Sequence, residues 1–140
     1  MLTNYLDWYK LNLMALTNTG YFPSKDITFI EQDKPVLVID NFRLPENFKQ
    51  KFTKLMIVFP YRHNIFSARP DQFYLDKNLK LRKGKNPGHI YNNSGFNDLS
   101  DRGWARYSFH LKKWCPKHDV ISGTSIYDIL EAIYEGLKKL

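Results

Sequence analysis

Six aliphatic side chains near the C-terminal end, Ile126, Ile129, Leu130, Ile133, Leu137 and Leu140, recur at helical spacing and line one side of a helix. A helix with one apolar stripe must lie on something, and the chain supplies it upstream. Lys54 to Phe59 (KLMIVF) is a continuous apolar run closed by Pro60, which predicts a central strand buried on both faces. Asp26 to Glu31 and Pro35 to Ile39 read as paired strands around the polar turn Gln32-Asp33-Lys34. Gln72 to Leu75 (QFYL) reads as a fourth, shorter strand. Leu2, Leu6, Tyr9, Leu13 and Leu16 form a second helical stripe, which Gly20 and Pro23 end. Thr124 or Ser125 stands where a side chain caps the first turn of the last helix. The order predicts an α+β fold: N-terminal helix, four-stranded antiparallel meander, irregular segment, C-terminal helix. The expected limits are 1–20, 26–76, 77–121 and 124–140, within a single domain spanning 1–140.

Composition narrows the classes. One cysteine excludes an internal disulfide framework and suits a reducing compartment. No apolar run approaches the ~20 residues of a membrane span. Asp7 and Lys10 interrupt the N-terminal pattern where a signal peptide would be uniformly apolar. A soluble cytoplasmic protein with no membrane partner is the expectation. The net charge of +7 is uneven: residues 61–120 carry 12 basic and 5 acidic side chains, and the two flanks nearly balance. Lys80, Arg82, Lys83 and Lys85 (KLRKGK) form the densest basic run. Such a run suits phosphates, an acidic protein, or plain solvation. There is no Walker loop, dinucleotide fingerprint or helical His-Glu-x-x-His, and neither cofactor nor metal is expected. His110, Cys115 and His118, with His89 as a fourth, fit no common zinc spacing.

Gly103 to Pro116 (GWARYSFHLKKWCP) concentrates Trp104, Tyr107, Ser108, Phe109, His110, Trp114 and the cysteine, Cys115, just before the last helix. Around it lie FRLPENF at 42–48, Phe59-Pro60-Tyr61 after the central strand, Arg69-Pro70-Asp71 before the next, and Pro-Gly-His-Ile-Tyr at 87–91 ahead of Gly95. In that order these motifs resemble the ubiquitin-conjugating enzymes, over roughly residues 26–137. Trp114-Cys115-Pro116 is similar to that family's Trp-x-Pro. Trp104-Ala-Arg106-Tyr107-Ser108-Phe-His110 is similar to the Trp-x-Arg-Trp-Ser-x-His segment of a bacterial ubiquitin-conjugating-like family. The resemblance implies three partners: a ubiquitin-like modifier protein, an activating enzyme, and a target protein. It also implies a bacterial conjugation pathway, several of which serve in defence against phage. This sequence departs from the family at one place. Where the conjugating enzymes hold their thioester cysteine it has Arg106, Tyr107 or Ser108. The further C-terminal helices of eukaryotic members are not seen after the helix that follows Trp-x-Pro.

Three chemistries compete at that slot. Ser108 can accept an acyl group as an oxyester with His110 as general base, because a hydroxyl becomes nucleophilic only when a base takes its proton. Residues two apart share a face of an extended strand, so this reading needs 104–110 extended, with Trp104 and Arg106 shaping the pocket. Asn92, Asn93, Asn97 or backbone amides would serve the oxyanion. Alternatively Cys115 is the nucleophile, its thiolate favoured by Lys112, Lys113, Lys117 and the nearby histidines. In the third reading nothing is catalytic. Trp104, Tyr107, Phe109 and Trp114 are then core or interface anchors of a binding scaffold. A different class, a small basic nucleic-acid-binding domain, would need exposed rings for base stacking and is the less favoured alternative.

Overall fold

The computed structural model describes residues 5–18, 22–91, 99–117 and 122–140. Helix α1 spans Tyr5–Asn18 and helix α2 spans Ile126–Lys138. Between them run β1 (Ile27–Ile30), β2 (Val36–Arg43), β3 (Phe52–Val58), β4 (Gln72–Asp76), β5 (Ile90–Tyr91) and β6 (Trp104–Tyr107). All pairings are antiparallel, in the order β1-β2-β3-β4-β6-β5. The four-stranded meander is present as β1 to β4, but among the described residues the sheet has six strands. The two additional strands come from 77–121, expected to be irregular. β6 does alternate, with Ala105 and Tyr107 buried and Trp104 and Arg106 half-buried, but aromatic residues at both parities hide that period in the sequence. β5 is too short, at two residues, to show any period.

One face of the sheet carries the core. Leu37, Ile39, Leu55, Ile57, Phe73, Leu75 and Tyr107 are buried in one cluster with Trp8, Tyr9 and Leu16 of α1 and the apolar stripe of α2. Each fully buried aliphatic side chain contributes roughly 1.5–3 kcal/mol. β3 is central, yet Lys54, Met56 and Val58 on its other face are only half-buried. The run KLMIVF is therefore covered on one side, because both helices share the core with the same face. On α1 the buried side is Trp8, Tyr9, Asn12 and Leu16; Leu6 of the expected stripe is exposed, and Leu2 and Gly20 lie outside the described residues.

The α2 stripe is buried as its spacing predicts, at Ile126, Ile129, Leu130, Ile133 and Leu137. Ser125 is the N-cap, accepting from the Asp128 amide while Asp128 accepts from the Ser125 amide, a reciprocal capping box. A further amide at this end, that of Ile126, donates to Asn12 Oδ1 on α1 at 2.7 Å. Asn12 Nδ2 donates to the Trp8 carbonyl at 2.8 Å, so this buried side chain is used at both atoms. At the opposite end Asn47 Nδ2 donates to the carbonyls of Leu137 and Leu140 at 3.0 and 3.2 Å.

Asn12→Ala leaves the Ile126 amide buried without its acceptor. The expected loss is about 1–3 kcal/mol in chemical denaturation, whereas Leu6→Ala on the exposed side should cost well under 1 kcal/mol.

Candidate functional site

The site is built outward from β6. Gly103, at φ +90°, turns the chain into the strand, and Lys54 Nζ lies 4.2 Å from the centroid of the Trp104 ring. Arg106 pairs in register with Tyr74 on one side and Tyr91 on the other. Of the three positions that the resemblance sets against the family's cysteine, Arg106 is half-buried within β6, Tyr107 is buried in the core, and Ser108 follows the strand.

Past β6 the chain stays extended for a step, since the Tyr107 and Phe109 rings stack at 5.3 Å and 11°. Both face α2 at Gly136, where a Cβ would come within 2.6 Å of Tyr107 Oη and 2.9 Å of a Phe109 ring carbon. Ser108 therefore turns to the opposite side, half-buried, and its amide donates to the His89 carbonyl at 2.7 Å. His89 is exposed and holds φ +65°, the left-handed region.

The next residues are fastened from two directions. Arg69 Nη1 donates to the Leu111 carbonyl at 2.7 Å, and Trp114 Nε1 donates to the Ile65 carbonyl at 2.8 Å. The Trp114 ring meets Trp8 edge-on at 5.8 Å. Cys115 is exposed, and its backbone is bracketed by Thr124: the Cys115 amide donates to Thr124 Oγ1 and the Thr124 amide donates to the Cys115 carbonyl. Gly123 permits this approach, because a Cβ there would fall 2.4 Å from the Lys117 nitrogen.

Between segment 109–115 and α2 lies a cleft of about 680 Å³. His110, Lys112, Lys113, Cys115 and Asp128 are among its walls; Ser108 is not. Among the described residues no hydrogen bond joins Ser108 to His110. Asn93, with Asn92, Asn97 and His118, lies outside the described residues. Among the described residues no three His, Cys, Asp or Glu side chains gather as a metal site. The Trp104 and Trp114 rings are both half-buried and engaged, one under Lys54 and one against Trp8. Lys80, Arg82, Lys83 and Lys85 lie exposed and away from the cleft. The sequence reading missed Gly123, Gly136 and Arg69. An isolated glycine inside a helical stripe was a legible signal for Gly136.

A helix, an antiparallel meander extended by an aromatic strand, and a Trp-x-Pro turn into a second helix define a ubiquitin-conjugating-type α+β fold. The sequence model of prokaryotic E2 family E matches residues 16–135, and the chain belongs to that family. No curated protein and no solved structure matches the chain. Membership supports a ubiquitin-conjugating-like role and, in general terms, interaction with a ubiquitin-like modifier and an activating enzyme. Among the described residues no helix is long and apolar enough to cross a membrane.

Burial raises two phenols above their usual value near 10, Tyr107 to about 12 and Tyr9 further. Below pH 10 both are neutral whether the chain is folded or not. Between about 10 and 12 the unfolded chain releases these protons and the folded chain retains them, so stability falls across that window. In a phenolate absorbance titration Tyr9 and Tyr107 should ionise only as the protein unfolds, above pH 10. Gly136→Ala gains about 1 kcal/mol of helix propensity but overpacks the Tyr107–Phe109 stack by about 1–3 kcal/mol. A net loss of stability is expected in denaturant titration.

Proposed function

We propose that this protein accepts the C-terminal carboxyl of a ubiquitin-like modifier from an activating enzyme and passes it to an amine of a target protein. The observation that carries the reading is the family match, which runs from the end of α1 into α2. In the working mechanism Ser108 Oγ attacks the thioester carbonyl of the charged activating enzyme while His110, swung across from the cleft it lines, takes the hydroxyl proton. The activating enzyme's thiolate leaves and an oxyester forms. The target amine then attacks that carbonyl and gives up its surplus proton to solvent, an amide forms, and Ser108 Oγ leaves with the proton returned by His110. Trp104 and Arg106 shape the pocket beside Ser108. Backbone amides, Asn92, Asn93 or Asn97 serve the oxyanion. The setting we infer is the bacterial cytoplasm, in a pathway of the kind that serves defence against phage. The support for that setting is family membership and the scarcity of cysteine.

A second reading rests on a specific observation. Cys115 is exposed and shares its cleft with His110, as an acceptor thiol and its base would. There the intermediate is a thioester. A scaffold that only positions the modifier is the non-catalytic form of the same role.

Intact mass after incubation with activating enzyme, modifier and ATP separates these. The expected adduct survives thiol reductant, yields to hydroxylamine, and is lost in Ser108→Ala. His110→Ala should slow its formation by roughly 10²–10⁴-fold. A reductant-labile adduct lost in Cys115→Ala moves the chemistry to the thiol. No adduct beside a charged activating enzyme leaves the scaffold.

A further inference from the structure

At the end of the sheet away from Ser108, two chain segments are locked together by an isolated antiparallel bridge between Phe48 and Leu81. The Lys49 amide donates to the Lys80 carbonyl and the Arg82 amide to the Asn47 carbonyl, at 2.8 and 2.9 Å. Gln50 adds a side-chain clasp, accepting from the Lys80 amide and donating to the Asn78 carbonyl. A tight turn through Gly84, at φ +83°, returns the Leu81 amide to the Lys85 carbonyl. Phe48 and Leu79, both buried, pin the pair to the core. The backbone under this ledge is therefore fixed.

What the ledge displays is positive charge. Lys49, Lys51, Lys80, Arg82, Lys83 and Lys85 are all exposed on it. None of the six forms an ion pair among the described residues. Two of their head groups are nevertheless held: Lys80 Nζ donates to Asn86 Oδ1, and Arg82 Nε donates to the Glu46 carbonyl. Both acceptors are uncharged, so they position the cations without neutralising them. Like charges facing one another across a strand pair repel, and a partner bearing several negative charges removes that repulsion. Holding the head groups in advance lowers the ordering cost of binding. Arg82 also keeps its terminal N–H groups for a carboxylate fork.

We propose that this ledge is a docking surface for a protein partner with a clustered acidic patch. The ledge favours protein over nucleic acid because it has no ring for base stacking: none of the six is aromatic, and Phe48 beneath them is buried. It also has no helix or strand ribbon to enter a groove, since its two segments meet at a single bridge. The cations form a compact group on paired backbone rather than a track along a channel. Placement adds a consequence. The ledge precedes β3 and follows β4, whereas Ser108 follows β6 beyond the level of Phe73, near the start of β4. The ledge and Ser108 therefore lie at opposite ends of β4. The inference does not rest on the identity of the acceptor atom.

Fluorescence polarisation with a labelled poly-glutamate decapeptide tests it, with a labelled duplex DNA of matched charge alongside. The full chain should bind the peptide more tightly than the duplex, and the affinity should fall at least about tenfold between about 50 and about 200 mM salt. Lys83→Glu with Lys85→Glu should weaken peptide binding at least about tenfold. Lys10→Glu with Lys25→Glu, the same charge change placed elsewhere on the exposed surface, should alter it less than twofold. Circular dichroism of both double variants checks that each folds. Equal losses in the two variants would reduce the effect to net charge and overturn the proposal. Tighter binding of the duplex, lost in the ledge variant, would make it a phosphate-backbone surface instead. No peptide binding at the lower salt would also sink it.

Discussion

The two ends of α2 are held by asparagine side chains supplied from the first half of the chain, and the site depends on that hold. Asn12 reaches from α1 to the first amide of α2, and Asn47 reaches from the β2–β3 connection to its last carbonyls. Helix ends expose unpaired backbone groups, and satisfying them from elsewhere fixes where the helix starts and stops. With both ends fixed, the apolar stripe fixes the rotation. Gly136 is thereby set against the Tyr107–Phe109 stack, and Thr124 against Cys115. The cleft wall on the α2 side is a product of these caps.

The opposite wall gains its shape from the proline-bounded loop between β3 and β4. Ile65 and Arg69 on that loop hold Trp114 and Leu111 through one hydrogen bond each. Segment 108–115 is thus neither strand nor helix, yet its backbone is anchored at His89, Arg69 and Thr124, and its Trp114 side chain at Ile65. Its side chains leave the fixed chain in several directions, Leu111 into the core, Trp114 onto Trp8 and Cys115 to the exposed surface. That is a suitable arrangement for presenting a nucleophile, because reaction requires a reacting atom held close to its partner.

Much of the fold was legible because its elements obey one period each. The α2 stripe and its Ser125 cap, β1 to β4, and the pairing around Gln32-Asp33-Lys34 all follow from spacing and turn chemistry. β6 was not, since Trp104, Ala105, Arg106 and Tyr107 alternate by burial but not by polarity. The α1 face was misplaced by a few tens of degrees because Trp8 and Asn12 lay off the Leu stripe, and a buried asparagine is invisible to a hydrophobic count. The concentration of chemistry in 103–116 was visible; its division between two sides was not. Ser108 opposes Tyr107 and Phe109, while His110 and Cys115 line the cleft. Residue types in a segment without regular structure leave little trace of which side each side chain takes.

The bond from Asn12 to Ile126 joins residues 114 apart. Closing so long a loop costs entropy that no local contact repays in advance. Until that closure, Asn12 Oδ1 has only water to accept from, and Trp8 lacks the Trp114 ring it meets in the folded chain. The docking of the two helices is accordingly a non-local event, and folding speed is governed by how often the chain's distant halves meet rather than by how readily either helix winds. On a ribosome, α1 would emerge before the sheet; Tyr9 could meet Phe29 and Phe59 early, whereas Trp8 would wait for Trp114, made more than a hundred residues later.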